Sequence, residues 1–230
     1  MPLGAGALLP SPTEPNLLKP VEVSTALSDL LHRLGRPARV VVVLPLGTGR
    51  LSLLQPPAGT DPREFARFRL GPSLPFPADE AIFDTVPAGA GRVLAGAVRR
   101  AVVAEYEELL ASCGAQVERV DLLPLAAVAA RRRAGSAAAL DLFLGDVAFA
   151  LALHEAGEVR GFRCRWRDRG PADLDRIAET LQAAARAEGG GLVPRIVVFG
   201  EESASAVAGL QARGLAASSG SEGALLGAAA

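Results

Sequence analysis

Three apolar runs follow one another closely after residue 136, and their spacing limits how this part of the chain can fold. The runs are AAALDLFLG (137–145), VAFALALHEAG (147–157) and VRGFRCRW (159–166). Turn-forming residues separate them, with Gly145-Asp146 between the first two and Ala156-Gly157-Glu158 between the second and third. Apolar runs of this length between tight turns predict three consecutive β-strands.

A helix, a strand and a second helix are predicted after these strands. The first helix begins at Pro171 and carries Asp173 and Asp175 in its first turn, where the helix dipole favours negative charge. Its apolar face consists of Leu174, Ile177, Leu181 and Ala184. RIVVFG (195–200) then predicts a strand and SASAVAGLQARG (203–214) a short helix. Three strands, a helix, a strand and a helix form a ribonuclease-H-like α/β half-domain.

The first part of the chain also mixes helices and strands. Pro20 opens a helix whose apolar stripe ends before the capping residue Gly35. ARVVVVLP (38–45) is a continuous apolar run ended by proline, which predicts a buried strand. RLSLLQ (50–55) follows directly after Gly47-Thr48-Gly49, so the two runs predict a β-hairpin.

The segment SLPFPADEAIFD (73–84) is unusual because two prolines bracket Phe76 outside any regular pattern. It follows a short helix that Asp61 caps, with Phe65 and Phe68 on one face. Prolines fix the backbone without using sheet hydrogen bonds. We expect Leu74 and Phe76 either to fill a small core or to line a docking surface, and for Phe68 the core is the favoured role.

Composition excludes several classes of protein. Half of the residues are hydrophobic and the formal net charge is −1, so there is no electrostatic case for nucleic acid as the main partner. Cys113 and Cys164 lie in no metal-binding spacing, which is typical of a reduced cytosolic chain. No basic segment resembling a signal peptide opens the sequence, and no apolar run approaches the ~20 residues that span a bilayer.

Four segments resemble, in order, parts of the PilM-type proteins of type IV pilus assembly, which are related to the cytoplasmic part of the GspL proteins of type II secretion. The segments are PLGAGALLPSPTEPNLL, VVVVLPLGTGRLSLL, FARFRLGPSLPFPADEAIFD and VLAGAVRRAVVAEYEELLASCGAQVERVDLLPLA. The resemblance implies an actin-like fold, in which two ribonuclease-H-like halves carry an inserted subdomain and the first strands of the N-terminal half are missing. It assigns 1–59 and 122–134 to the first half, 60–121 to the insert, 135–215 to the second half and 216–230 to a small-residue, partly flexible tail.

The resemblance also implies a role. PilM-type proteins sit at the cytoplasmic face of the inner membrane and bind the N-terminal tail of PilN, a single-span protein. The groove lies between the sheet of the first half and the insert, which makes Leu74, Phe76 and Phe68 the candidate partner-binding residues. Self-association into rings is a further implication. We therefore expect a non-catalytic scaffold that docks a PilN-like tail.

The same resemblance implies a degenerate nucleotide site. Family members begin with a strand and a DIG-x-x-S turn that holds phosphate, and this sequence starts after that point, so ATP is expected only if the missing strand exists. The second phosphate turn falls at Asp141, Phe143 and Gly145, where phenylalanine stands in place of glycine. A third turn falls at Gly200 and Glu201, where a carboxylate meets the expected phosphate position. We expect no cofactor, no metal and no catalysis.

Two alternatives remain open at this point. One is an actin-like ATPase whose start was misassigned. The other is a ribonuclease-H-like nuclease or phosphotransferase, for which the candidate metal-binding acids are Asp141, Asp146, Glu155 and Glu158. The two histidines, His32 and His154, are predicted to be structural. Arg163, Arg165 and Arg167 alternate along the third strand, which predicts a charged, half-exposed face.

Overall fold

The computed structural model describes residues 3–4, 6–134, 138–168, 170, 172–187, 195–200 and 202–220, without the side chains of 131–134, 185 and 187. The α-helices in this part of the chain are α1 (Pro20–Arg33), α2 (Pro62–Leu70), α3 (Arg100–Ser112), α4 (Leu123–Ala134), α5 (Asp173–Ala187) and α6 (Ser203–Gln211). The strands are β1 (Arg39–Leu44), β2 (Gly49–Leu54), β3 (Ala81–Gly89), β4 (Arg92–Arg99), β5 (Gln116–Leu122), β6 (Ala139–Leu144), β7 (Ala148–Glu155), β8 (Glu158–Trp166), β9 (Ile196–Phe199) and β10 (Ala217–Ser219). Among these helices, none is long and apolar enough to cross a bilayer.

The second half of the chain forms a five-stranded sheet in the order β10-β9-β6-β7-β8. β6, β7 and β8 pair antiparallel in sequence, and β9 runs parallel to β6. The predicted order of three strands, a helix, a strand and a helix is therefore confirmed. The prediction for the tail was wrong at its start, because Ala217–Ser219 pair with Ile196–Val198 as an edge strand. Residues 221–230 lie outside the described part of the chain.

The first half contains a parallel pair of strands, β1 and β5, next to α1, α3 and α4. The predicted hairpin between β1 and β2 is wrong, because β1 pairs with β5 whereas β2 pairs with β4 in another sheet. Thr48 lies fully buried between the two strands, and its hydroxyl donates to the Pro45 carbonyl at 2.8 Å. This turn redirects the chain from one sheet to the next, so the flanking runs do not pair.

The predicted burial of β1 is also wrong in part. Val41, at the middle of the strand, is 45% exposed. Apolar runs without alternation are typical of strands covered on both faces and paired on both edges. β1 has one paired edge among the described residues, so its valines are less covered than the pattern predicts.

A three-stranded antiparallel sheet in the order β2-β4-β3 carries α2 on one face. The sheet pairings differ from the borders predicted for the insert, 60–121. β2 belongs to the sheet of the insert, and β5 belongs with β1. The helix cap at Asp61 marks a helix start but carries no information about which sheet the preceding strand joins. The strand β2 is therefore the first element of the insert.

One hydrophobic core connects the three parts of the molecule. The sheet of the insert contributes Leu51 and Leu94, and the face of β6–β8 that lies opposite α5 contributes Phe143 and Phe162. First-half residues in the same cluster include Leu44, Leu122, Leu125 and Val128. A second cluster fills the space between the five-stranded sheet and helices α5 and α6. The insert therefore packs directly onto the second half.

Candidate functional site

The segment around Phe76 is extended and lies between two single-turn 3₁₀ helices, Gly71–Ser73 and Ala78–Glu80. Phe76 itself is buried, whereas the flanking prolines are exposed. Arg99, at the end of β4, fixes the far side of the segment: its Nε lies 2.8 Å from Oε2 of Glu80, and its Nη1 donates to the Thr13 carbonyl at 3.0 Å. The segment is thus anchored at Glu80, in the 3₁₀ helix that follows Phe76.

Leu74 and Phe76 line a cleft of about 360 Å³ between the insert and the second half. One wall consists of Ser73–Phe76 together with the start of β2, and the other consists of Ala148 and Cys164–Trp166. Pro12 and Gly47 close one end. The resemblance predicts a groove against the sheet of the first half. The structure instead directs these residues toward the second half, because β2 joins the insert and packs against β8.

One arginine gives this cleft a positive charge. Arg50 lines it and makes no ion pair with another described residue. The side chain of Arg165 lies on the other face of β8, because Arg165 is opposite Phe149, which packs toward α5, and lines a separate pocket beside that helix. Burial raises the pKa of the Cys164 thiol, and the charges of Arg50 and Arg165 act in the opposite direction without cancelling that effect.

The aromatic side chain at the rim of the cleft is Trp166, which is 61% exposed. An apolar cleft with an exposed indole and an unpaired arginine matches an extended peptide that carries apolar and acidic side chains. The sequence pattern of β8 identified the alternation of its residues but not the wall that Cys164 and Trp166 form. Only the packing of β2 on β8 brings Arg50 close to Cys164.

Phe68 does not contribute to this cleft. It lies on the outer face of α2 and is 72% exposed, so it fills no core either. The buried positions of α2 are Ala66 and Leu70, which pack on Ala95 and Ala97 of β4. The favoured core role of Phe68 is therefore wrong, and its role in partner binding stays a prediction.

A second feature lies at the carboxyl ends of β6 and β9, where ligands bind in most open α/β sheets. The side chain of Arg167 fills this crevice. Its Nε donates to Oδ2 of Asp173 at 2.8 Å, its Nη2 to Oε2 of Glu202 at 2.9 Å, and its Nη1 to the Gly145 carbonyl at 2.8 Å. One guanidinium thus connects the end of β8, the start of α5, the β6–β7 turn and the residue before α6.

The charged form of Arg167 is stabilised in this position. Burial favours loss of its proton, but the hydrogen bonds that it donates to the Glu202 and Asp173 carboxylates outweigh burial and raise its pKa. The sequence pattern grouped Arg167 with the exposed arginines of β8. The structure places it just after the strand, where the chain turns inward.

The predicted phosphate-turn residues lie partly inside a strand. Asp141 and Phe143 are fully buried within β6, so they form no turn. Asp141 lies 3.3 Å from Nε2 of His154, and the Phe143 ring stacks on Phe199 with centroids 5.2 Å apart. Gly145 does open the β6–β7 turn, where its N–H donates to the Ala148 carbonyl at 2.9 Å.

The third predicted turn follows β9. Gly200 has a φ of +123°, and a Cβ at this position would collide with the Leu144 carbonyl oxygen. This close approach brings the ends of β9 and β6 together. Glu201 lies outside the described residues.

The described residues of this crevice do not fit an adenine nucleotide. A phosphate turn presents backbone N–H groups to the anion, whereas here the Gly145 N–H is used inside the turn and its carbonyl accepts from Arg167. Arg167 itself is committed to two carboxylates, so the three charged side chains together carry more negative than positive charge. A polyphosphate would meet net repulsion.

The acids considered for a nuclease do not converge. Glu155 and Glu158 both pair with Arg160, at 3.1 and 3.4 Å, beside the β7–β8 turn. Asp141 is buried inside the sheet. Within the described ranges no group of three or more histidine, cysteine or acidic side chains is arranged to hold a metal ion.

Comparisons with known proteins place this geometry among actin-like folds. No protein-family model and no curated protein matches the chain. A chain of the PilM–PilN type IV pilus biogenesis complex is similar in structure, with a TM-score of 0.76 and 17% sequence identity, over 98% of this chain and 81% of that one. A Bacteroides thetaiotaomicron protein of unknown function with an actin-like ATPase fold gives a TM-score of 0.55 at 9% identity, over 89% and 79%.

The cytoplasmic domain of EpsL, an inner-membrane component of the type II secretion system of Vibrio cholerae, is also similar. It gives a TM-score of 0.52 at 16% identity, over 76% of this chain and 66% of that one. At sequence identities of 9–17% these structural similarities establish a shared fold only. The chain therefore has an actin-like fold, shared with the PilM of that complex.

Proposed function

We propose that this chain is a non-catalytic docking subunit of an inner-membrane assembly platform, of the kind that builds a type IV pilus or a type II secretion system. It would work at the cytoplasmic face of the membrane and bind the cytoplasmic tail of a PilN-like, single-span protein. The fold shared with PilM and with the cytoplasmic domain of EpsL supports this proposal.

The observation that carries the proposal is the cleft between the insert and β8. Its apolar walls, Leu74 and Phe76 on one side and Trp166 on the other, offer contacts for aliphatic side chains. Arg50 offers unpaired positive charge for a carboxylate of the bound peptide. A guanidinium binds a carboxylate through two parallel hydrogen bonds, which fixes the register of a bound peptide.

The absence of catalysis is part of the proposal and rests on the crevice at the ends of β6 and β9. Arg167 donates hydrogen bonds to Asp173 and Glu202 there. The guanidinium that could contact a phosphate is engaged with two carboxylates, so we assign the function to contacts between the surface and a partner. Calorimetric titration with Mg-ATP checks this point, and tight binding would favour the actin-like ATPase instead.

Docking can be tested by the fluorescence of Trp166, which is the only tryptophan in the chain. The probe is a synthetic peptide of the N-terminal cytoplasmic tail of a PilN-like, single-span protein from the same organism. We expect it to shift the Trp166 emission and to bind with saturation. Arg50→Glu should weaken binding by about tenfold or more, because a repulsive charge replaces an attractive one.

Matched controls separate the cleft from the general surface. Arg100→Glu makes the same charge change at an exposed position away from the cleft, and Phe68→Ala removes an exposed aromatic ring from α2. Both should leave binding unchanged, whereas Leu74→Ala should weaken it. Equal effects of Arg100→Glu and Arg50→Glu would show non-specific electrostatic attraction and would contradict docking in the cleft.

A further inference from the structure

One end of the cleft between the insert and β8 is closed by a loop, residues 11–15, that precedes α1. Two of its five residues, SPTEP, are prolines, and Pro12 lines the cleft. Gly47 lies at the same end, and a Cβ at this position would contact both Trp166 and Pro10. The segment before α1, the turn after β1 and the end of β8 therefore meet here and form an end wall.

The loop is held in its conformation by Asn16, which is fully buried. Oδ1 of Asn16 accepts from the Ser11 N–H at 3.1 Å, and its Nδ2 donates to the carbonyls of Ser11 and Glu14 at 2.9 and 3.0 Å. The N–H of Asn16 in turn donates to the Glu105 carboxylate on α3 at 2.9 Å. Because prolines also fix the backbone φ angle at two of the five positions, the loop resists displacement by a ligand.

Arg99 connects this loop to the wall of the cleft that carries Phe76. Its Nη1 donates to the Thr13 carbonyl at 3.0 Å, and its Nε donates to Oε2 of Glu80 at 2.8 Å. Thr13 follows Pro12 in the loop, and Glu80 ends the 3₁₀ helix that comes after Phe76. A guanidinium is planar and rigid, so this one side chain fixes the distance between the two parts of the wall.

We propose that residues 11–15 determine which end of a peptide the cleft receives, and that Arg99 is the positioning residue that holds them in place. This inference rests on the docking proposed above. The cytoplasmic tail of a single-span protein continues toward the membrane at its C-terminal side, so only its N-terminal end can stop at a closed wall. The bound tail therefore directs its N-terminus toward Pro12 and Gly47, and residues added before it are excluded by steric clash.

The end wall can be tested with extended forms of the tail peptide that serves for the Trp166 titration. A short Ser-Gly segment is added to the N-terminus of the peptide in one form and to its C-terminus in the other. We expect the N-terminal extension to weaken binding by about tenfold or more, because it meets the wall, and the C-terminal extension to leave binding unchanged. A photo-crosslinker at the N-terminal residue of the peptide should label residues 11–15, and one at the C-terminal residue should not.

Variants of the wall should remove this discrimination. Arg99→Ala releases the loop from Glu80, whereas Pro12→Gly removes a ring that lines the cleft and keeps the hydrogen bonds of Asn16. In either variant the N-terminal extension should weaken binding by less than about threefold. The unextended peptide should keep its affinity, which separates loss of the wall from general damage to the site.

Two further variants serve as controls and should discriminate between the extensions as the wild type does. Glu80→Gln keeps an oxygen that accepts from Nε of Arg99. Arg63→Ala removes another arginine that pairs with a carboxylate on the insert, Asp84, but does not line the cleft. If Arg99→Ala does not fold, as shown by urea unfolding, Pro12→Gly decides the test.

The results separate the docking from the end wall. Absence of saturable binding of the unextended peptide would overturn the docking and the wall with it. Saturable binding that tolerates both extensions equally would overturn the wall alone. A loss of affinity that falls on the C-terminal extension would overturn the orientation, and a loss that Arg99→Ala and Pro12→Gly leave at its wild-type size would overturn the role of the loop.

Discussion

Nε of Arg167 and Oδ2 of Asp173 lie 2.8 Å apart, and each side chain is only 7% exposed. Asp173 opens α5, and Arg167 follows β8, so this pair fixes the angle at which the chain leaves the sheet and enters the helix. Glu202, which is more exposed, completes the arrangement from the α6 side. The crevice where actin-like folds present phosphate-binding turns is in this chain a structural junction.

Removal of the guanidinium should destabilise the protein strongly. Arg167→Ala leaves Asp173 as a buried, unpaired charge, and we expect a loss of about 3–5 kcal/mol in the free energy of unfolding by urea. Arg167→Lys keeps the charge but loses the planar set of donors that reaches Asp173, Glu202 and the Gly145 carbonyl together, so its effect should be intermediate.

A matched variant shows whether burial is the cause. Arg213 pairs with Asp175 in solvent, and Arg213→Ala should cost less than about 1 kcal/mol. Similar losses for Arg167→Ala and Arg213→Ala would contradict the role assigned to Arg167.

Gly200 should tolerate no side chain. Gly200→Ala places a Cβ against the Leu144 carbonyl at a φ of +123°, which forces β9 away from β6. We expect a loss of more than about 2 kcal/mol in the unfolding free energy. Gly157→Ala also has a positive φ, but no atom lies within 4 Å of its Cβ, so it should cost only about 1 kcal/mol. Equal unfolding free energies of Gly200→Ala and Gly157→Ala would contradict the close contact assigned to Gly200.

Glu105 should fasten the N-terminal segment to α3. Its carboxylate accepts from the backbone N–H groups of Asn16 and Leu17 at 2.9 and 2.8 Å. Glu105→Ala leaves both groups without this acceptor, and we expect a loss of about 1–3 kcal/mol and faster hydrogen exchange at residues 16–17. Glu107→Ala, exposed on the same helix, should change neither quantity. Unchanged exchange in the Glu105 variant would contradict the attachment.

Cys164 should report the charge in the cleft. In a Cys113→Ser background it is the only thiol, and its raised pKa predicts slow reaction with a disulfide reagent at pH 8 and faster reaction as the pH rises. Arg50→Gln removes a charge that lowers this pKa, so the pKa rises and the rate at pH 8 should fall by about threefold.

Arg100→Gln supplies the control for this measurement and should leave the rate as it was. The variants should also react alike in urea, where the cleft is lost. A faster reaction after Arg50→Gln would contradict the proximity of Arg50 to the sulfur.

Local sequence signals predicted much of the fold. Asp61 is the helix cap that its spacing indicates, since it accepts from the N–H groups of Arg63 and Glu64. Gly35, with a φ of +80°, follows α1 as predicted. The turns at Gly145 and Gly157 set the order of β6, β7 and β8. These features depend on neighbours in the chain, so the sequence reports them directly.

Features that depend on distant parts of the chain were missed. Leu53 lies opposite Leu94 because β2 pairs with β4 although α2 and β3 lie between them in sequence, and no local pattern shows this. The cleft needs Arg50 and Trp166, which are more than a hundred residues apart in sequence. In the sequence, Arg167 continues the alternation of the exposed arginines of β8. Its burial depends on the path that the chain takes after β8. Long-range packing, rather than propensity, determines these positions.

The core that joins the insert to β6–β8 also limits how the molecule can move. Leu51 on one side of the cleft and Phe162 behind the other belong to the same packed cluster. Opening the cleft as two jaws would separate these residues and expose apolar surface to water, at a cost of about 25 cal/mol per Å². The cleft therefore keeps a fixed width, and a peptide bound there as proposed would give up little binding energy to reshaping the protein.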